Sequence, residues 1–155
     1  KKKGLPGAFV TFSFSTTDEA VAKIFEPGAT APAERLKTMR AVHDAGLLTG
    51  VSLMPLIPYI SDTFDELDKM IRQFKTHGAS YIMPAGLTLF GEGAHDSKTL
   101  VFNAIEKHYP HLLEKYRQLF MENPGAPHPY SGHVQRTVAA LLKKHGIRDR
   151  IPEPR

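Results

Sequence analysis

Residues 50–62 read GVSLMPLIPYISD, the longest nearly unbroken apolar run in the chain. A short apolar run without polar alternation predicts a strand buried on both faces, as in parallel sheets covered by helices. Pro55 and Pro58 are expected to end that strand, because proline has no N–H to give to a ladder. The residues that follow then lie at the carboxyl end of the strand, where parallel sheets present their chemistry.

Upstream, residues 8–15, AFVTFSFS, alternate aromatic or β-branched residues with small ones and predict a strand. Thr16 and Glu19 fit a capping box for a short helix through Phe25, which Glu26-Pro27-Gly28 stops. Pro32 suits the first turn of a second helix. Leu36, Met39, Val42 and His43 follow at helical spacing, and Gly46 closes it. Downstream, Thr63 and Glu66 form a second capping box. Phe64, Leu67, Ile71 and Phe74 predict one apolar stripe, and Gly78 ends that helix. Residues 79–83 predict a third strand ending at Pro84. Strand, helix, strand, helix, strand is the rhythm of a parallel α/β sheet or barrel.

After Pro84 the pattern changes. Residues 85–96 read as a glycine-rich loop, 98–108 and 111–121 as helices broken at Pro110, and 123–132 as irregular. A last helix is expected over 133–145, with Gly146 as its cap and a frayed tail at Pro152 and Pro154. The expected division is residues 1–96 as an α/β unit and 97–155 as a helical extension packed on it.

The chain has 155 residues and a formal net charge of +4. Much of the positive charge is terminal: Lys1, Lys2 and Lys3 at one end, and Lys143, Lys144, Arg148, Arg150 and Arg155 at the other. That balance permits a nucleic-acid or phosphate partner, and equally fits solvated charges on helix faces. Cysteine is absent, which excludes disulfides, cysteine nucleophiles and thiolate metal sites within this chain. No stretch reads as a signal peptide or a membrane span, so a soluble cytoplasmic protein is expected.

Eight histidines invite a metal reading. His108 and His111 flank Pro110, His128 and His133 lie in or beside a flexible stretch, and no HExxH occurs. Surface or capping histidines are expected, with no metal site. Residues 86–93, GLTLFGEG, are neither a GxGxxG nor a P-loop, and no serine sits in a GxSxG elbow. Ser13 and Ser15 share one face near the carboxyl end of the first strand. Their hydroxyls suit a ribose or a carboxylate, or else they are small residues that let a helix approach. Arg35 stands near the start of a helix, as a carboxylate clamp or as an exposed helix arginine.

Taken in order, Ser13 to Thr17 with Asp18-Glu19, Glu26-Pro27, Arg35, Ala45-Gly46, Gly50-Val51, and Pro55-x-x-Pro58 with Asp62 form a pattern. It resembles the second half of the radical S-adenosylmethionine domain, in the spore photoproduct lyase-like branch often labelled DNA repair photolyases. The resemblance spans about residues 9–102 and extends weakly to Tyr109-Pro110 and Gly146-Ile147. It implies the carboxyl-terminal half of a partial six-stranded (β/α) barrel, with the three strands as its fourth, fifth and sixth. It implies that Ser13, with Ser15, touches the ribose or amino-acid end of S-adenosylmethionine. Backbone around Met54 and Pro55 would lie against the adenine, and Arg35 would pair near Glu26 or with a carboxylate.

The resemblance also marks a departure. The three cysteines that hold the family's [4Fe–4S] cluster belong to the first half, and this chain has none. The expectation is a fragment of a longer lyase-type enzyme. In the parent, the resemblance implies that the cluster donates an electron and a 5′-deoxyadenosyl radical abstracts hydrogen from substrate, with nucleic acid as the substrate class that the branch label implies. This chain alone is expected to bind neither cofactor and to be inactive. Its expected partner is the missing half, or a second copy through the open barrel edge. Two rival readings are a cofactor-free module binding nucleic acid through basic tails, and an unrelated βα enzyme for a phosphorylated ligand.

Overall fold

A computed structural model of the chain describes residues 7–153. Strand β1 (Phe9–Phe14) leads through α1 (Glu19–Phe25) and α2 (Pro32–Asp44) to β2 (Leu48–Leu56). Helix α3 (Phe64–Thr76) then leads to β3 (Tyr81–Gly86). The three strands are parallel, with β2 in the centre. The chain is therefore α/β, built on a three-stranded parallel sheet. Helix α4 (Ser97–His108), a 3-10 turn (Pro110–Leu112), α5 (Leu113–Phe120) and α6 (His128–His145) complete it.

One face of the sheet is covered. Phe14, Val51, Leu53 and Ile82 point to that face and meet Leu36 and Met39 of α2, four residues of α3, and Val138, Leu141 and Leu142 of α6. Each such buried side chain is worth roughly 1.5–3 kcal/mol relative to exposure. The opposite face carries Phe9, Thr11 and Ser13, then Gly50, Ser52 and Met54, then Tyr81 and Met83. Several of these are exposed or half-buried. Tyr81 lies across Gly50 and its hydroxyl shares a hydrogen bond with Thr11. A Cβ at residue 50 would collide with the Tyr81 ring, so glycine is what lets the ring cross the central strand.

A second core caps the carboxyl ends of the strands. Ile57, Leu89, Ile105, Leu112, Tyr116, Leu119 and Phe120 form it, with Val21 and Phe25 of α1 against them. Helices α4 and α5 belong to this cap, whereas α6 returns to the first core.

Several boundaries differ from expectation. Pro55 does not end β2: the strand runs to Leu56, and its pairing with β3 shifts register between Leu53 and Leu56, around a cis Met54–Pro55 peptide. Proline is tolerated where the ladder is already interrupted. Pro84 sits inside β3, an edge strand of the sheet, where a missing N–H is also tolerated. The α3 stripe is Leu67, Met70, Ile71 and Phe74, while Phe64 at the first position is 59% exposed. Helix α6 begins at His128, because Pro129 in its first turn needs no N–H partner. The cap of α1 is Asp18, which accepts from the Ala20 and Val21 N–H groups. Thr16 instead accepts from the Asp18 N–H, and Glu19 accepts from the Ala33 N–H at the start of α2. The Thr63 hydroxyl does cap α3, accepting from the Glu66 N–H.

Asp68 of α3 joins that helix to α6. Its carboxylate meets His145 Nε2 at 2.8 Å, Lys144 Nζ at 3.1 Å and, within its own helix, Arg72. Hydrogen bonds from His145 and then Lys144 hold its pKa well below the usual carboxylate range.

Gly50→Ala is expected to destabilise the fold by about 1–3 kcal/mol, read by denaturant unfolding, because Tyr81 must leave its seat. Asp68→Asn is expected to lower the thermal midpoint at pH 7. A depressed folded pKa contributes stability above the unfolded value and loses it as pH falls towards the folded one. The gap to the parent chain should therefore shrink below about pH 4.

Candidate functional site

The carboxyl ends of β1 and β2 hold the residues singled out by sequence. Ser13 is exposed on the uncovered face of β1, opposite Ser52 of β2. Met54 follows on the same face and is 36% exposed, with Pro55 exposed beside it. Ser15 lies just beyond β1, is buried, and its hydroxyl has no protein partner. An orphaned buried hydroxyl is uncommon in a native structure and asks for a ligand or water.

Arg35 reaches back from α2. One guanidinium nitrogen donates to Glu26 Oε2 at 2.6 Å, another to the Ser13 carbonyl at 2.6 Å, and the group lies 4.8 Å from the Phe14 ring centroid. It is thus no exposed helix arginine; it ties the α1–α2 loop to the end of β1. The Nε of Arg35 is buried and unpartnered. These residues meet at the strand end, with Met54 and Pro55 one strand away.

The sequence places the loop after β2 at the chemistry-bearing end of the strand, but it does not mark the side-chain contacts made there. Its backbone is held by side chains. The Ser61 hydroxyl accepts from the Ile57 N–H at 2.8 Å, and Tyr116 donates to the Pro58 carbonyl at 2.7 Å. Asp62 accepts from the Tyr59 N–H at 2.8 Å and from the Tyr130 hydroxyl at 2.7 Å. Tyr59 has φ +62°, a left-handed conformation that is costly for an aromatic residue. Its ring stands edge-on to Tyr130 at 5.0 Å. The signal in the sequence was Asp62 after two prolines, but its partner Tyr130 is 68 residues away.

Asp62 is buried, and burial raises its pKa; the hydrogen bonds from Tyr130 and Tyr59 offset this in part. Burial and the bond to Asp62 push the Tyr130 phenol well above its ordinary value. Beside the pair opens a small cleft of about 70 Å³, between the ends of β2 and β3 and the first half of α6. Leu56, Pro84, Leu87 and Val134 are among its walls.

Among the described residues, no three His, Asp or Glu side chains gather as a metal site would require. His108 and His111 stand on either side of the break between α4 and the 3-10 turn, and His128 and His133 are both on α6. No helix among the described residues is long and apolar enough to cross a membrane. Lys143, Lys144, Arg148 and Arg150 are exposed at the end of α6 and beyond it. The expected basic residues Lys1, Lys2, Lys3 and Arg155, with Pro154 of the expected frayed tail, lie outside the described residues.

Tyr130→Phe should cost about 1–3 kcal/mol, because a buried carboxylate oxygen loses its donor. The same change should raise the Asp62 pKa further, read by carboxyl-carbon NMR titration. With its folded pKa above the unfolded one, Asp62 favours the fold below about pH 4 and withdraws that support as pH rises through the folded value. An unmoved Asp62 titration would show that another donor replaces the phenol.

The chain is similar to uncharacterized proteins of Mycobacterium bovis and of two strains of Mycobacterium tuberculosis, at 29% identity over 147 residues in each case. The match covers 94% of this chain and 42% of each relative, so the chain spans less than half the length of these proteins. No family model and no solved structure matches.

Proposed function

We propose that this chain is the carboxyl-terminal half of a radical S-adenosylmethionine-type barrel in a longer polypeptide, and that its strand ends position the cofactor. The observation that carries this reading is the one-sided parallel sheet. Its helices cover one face, and among the described residues no strand pairs with the outer edge of β1. A preceding barrel strand would pair with that edge. The length of the mycobacterial relatives is consistent with such a half.

The two implied groups fare differently. A [4Fe–4S] cluster does not fit this chain, which has no cysteine to ligate it. S-adenosylmethionine fits the polar atoms left over at the end of β1: the exposed Ser13 hydroxyl and the unpartnered Ser15 hydroxyl. Arg35 would act by holding the Ser13 carbonyl in place, since Glu26 already occupies its charge. Met54, exposed one strand away, would offer an apolar surface to the adenine.

The test is made on the polypeptide as its source produces it. Its intact mass should exceed 17.2 kDa, and calorimetry should show binding of S-adenosylmethionine but not of inorganic phosphate. Ser13→Ala should weaken that binding by roughly 2- to 13-fold, the worth of one net hydrogen bond. The 155-residue chain alone should bind no iron and should self-associate in sedimentation through the β1 edge. A native mass equal to this chain, or no binding of S-adenosylmethionine, would overturn the proposal.

A second reading rests on the exposed cations at and beyond the end of α6. It makes the chain a cofactor-free module for nucleic acid. Lys144 is committed to Asp68, which reduces the patch. Duplex binding with a steep salt dependence and no sequence preference would favour this reading over the first.

A further inference from the structure

We infer that Tyr130 of α6 is a positioning residue for the strand-end site: it fastens the loop after β2 and so fixes the backbone against which the adenine would lie. The inference rests on the S-adenosylmethionine reading and names a residue that acts on that site from the helical part of the chain.

The backbone concerned lies in a gap of the ladder. Leu53 pairs with Pro84 and Leu56 with Gly86, and the register shifts between them. Met54 and Pro55 stand in that gap and are exposed. Their course is set by what holds the chain on either side. Upstream it is the regular ladder, in which Leu53 also pairs with Phe14 of β1. Downstream it is Leu56 and the turn that begins at Ile57.

That turn is closed on itself. The Ser61 N–H donates to the Ile57 carbonyl at 2.9 Å, and the Ile57 N–H donates to the Ser61 hydroxyl at 2.8 Å. A turn bonded in this way moves as one body, so its place depends on groups that reach it from elsewhere. Among the described residues, two side chains from outside reach it by hydrogen bonds, and both are tyrosines of the helical extension. Tyr116 of α5 donates to the Pro58 carbonyl at 2.7 Å. Tyr130 donates to Asp62 Oδ2 at 2.7 Å and accepts from the Tyr59 N–H at 3.0 Å. One hydroxyl thus holds the turn at two points, and one of them is Tyr59, whose φ of +62° is kept only while its bonds hold. His133, also on α6, favours the charged form of Asp62 and so strengthens the bond that Tyr130 gives it.

Helix α6 is a firm support for that hydroxyl. Val138, Leu141 and Leu142 are buried in the first core, and at the far end His145 and Lys144 meet Asp68 of α3. A binding site keeps its geometry when the groups behind it are locked by packing and hydrogen bonds, and Tyr130 has both.

The experiment is calorimetry on the native polypeptide, at a temperature where parent and variants are fully folded. The ligands are S-adenosylmethionine and 5′-deoxyadenosine, which carries the adenine without the methionine. Tyr130→Phe keeps the ring beside Tyr59 and removes only the hydroxyl. It should weaken both ligands by about tenfold, because a misplaced support costs up to about 100-fold. Asp68→Asn is the control. It loosens the far end of α6 and lowers stability, and both affinities should stay as in the parent. Hydrogen exchange of the Tyr59 amide should quicken in Tyr130→Phe and not in Asp68→Asn. Parent-like binding of 5′-deoxyadenosine by folded Tyr130→Phe, or an equal loss in Asp68→Asn, would overturn the inference and leave the S-adenosylmethionine reading standing. A parent that binds no S-adenosylmethionine would overturn that reading and this inference with it. Should Tyr130→Phe fail to fold, Tyr116→Phe, which releases the other fastening of the same turn, decides by the same comparison.

Discussion

Every element of this chain is placed by the need to satisfy β2 on both edges. The strand pairs with β1 on one side and β3 on the other, and Val51 and Leu53 are fully buried. Such a strand cannot leave a backbone polar group unpaired without loss. At its carboxyl end the ladder stops, and side chains take over. Ser61, Asp62 and Tyr116 supply the partners that a neighbouring strand would otherwise give to Ile57, Tyr59 and Pro58. The left-handed Tyr59 costs about 1–3 kcal/mol and persists because these bonds over-determine it.

The cleft follows from how the two cores meet. The first core lies between the sheet and α2, α3 and α6; the second lies over the strand ends under α4 and α5. Two close-packed bodies join without a gap only when side chains fill the seam. At this seam stand two prolines, two alanines and Gly86, which are short, and Asp62, which is polar. Leu56, Leu87, Tyr130 and Val134 stand around these short residues and leave a small space between them.

The alternation of strands and helices was legible because it rests on local patterns. The α3 residues Leu67, Ile71 and Phe74 carry their period in sequence and are buried as it requires. The run at 50–56 does form the central strand, but it is not buried on both faces as its unbroken apolar character predicts: Val51, Leu53 and Leu56 are buried, while Met54 and Pro55 are exposed. The positive φ values of Gly46, Gly78 and Gly146 likewise match their roles at helix ends. What could not be read was non-local. Proline predicts a strand end, but Pro55 sits at an irregularity of β2 and Pro84 in an edge strand, where the missing N–H is tolerated. Phe64 looked like core because its spacing fits, yet it lies at the first turn of α3, ahead of the buried stripe. The Asp62–Tyr130 bond and the Tyr81–Thr11 bond join residues about 70 apart, and no local pattern marks them. Arg35 was placed near Glu26 by the family resemblance alone; its spacing left a clamp and an exposed residue equally open.

The two edges of the sheet are treated differently, and that difference says more than the sheet itself. Beyond β3, Arg148 bridges to Tyr81, with the Ile82 N–H donating to its carbonyl at 2.9 Å. Ile147 beside it is buried in the core. The chain therefore returns after α6 to close that edge. Beyond β1, no described strand does the same. An open edge offers donors and acceptors to any extended chain and is normally blunted by charge, proline or a bulge. Strand β1 reads FVTFSF, with none of these devices. Among the described residues, the return of the chain after α6 thus covers part of the β3 edge, and the β1 edge has no such cover. The uncovered face beside it exposes Phe9 and Met54, so the apolar character of β1 and β2 is spent on one face only.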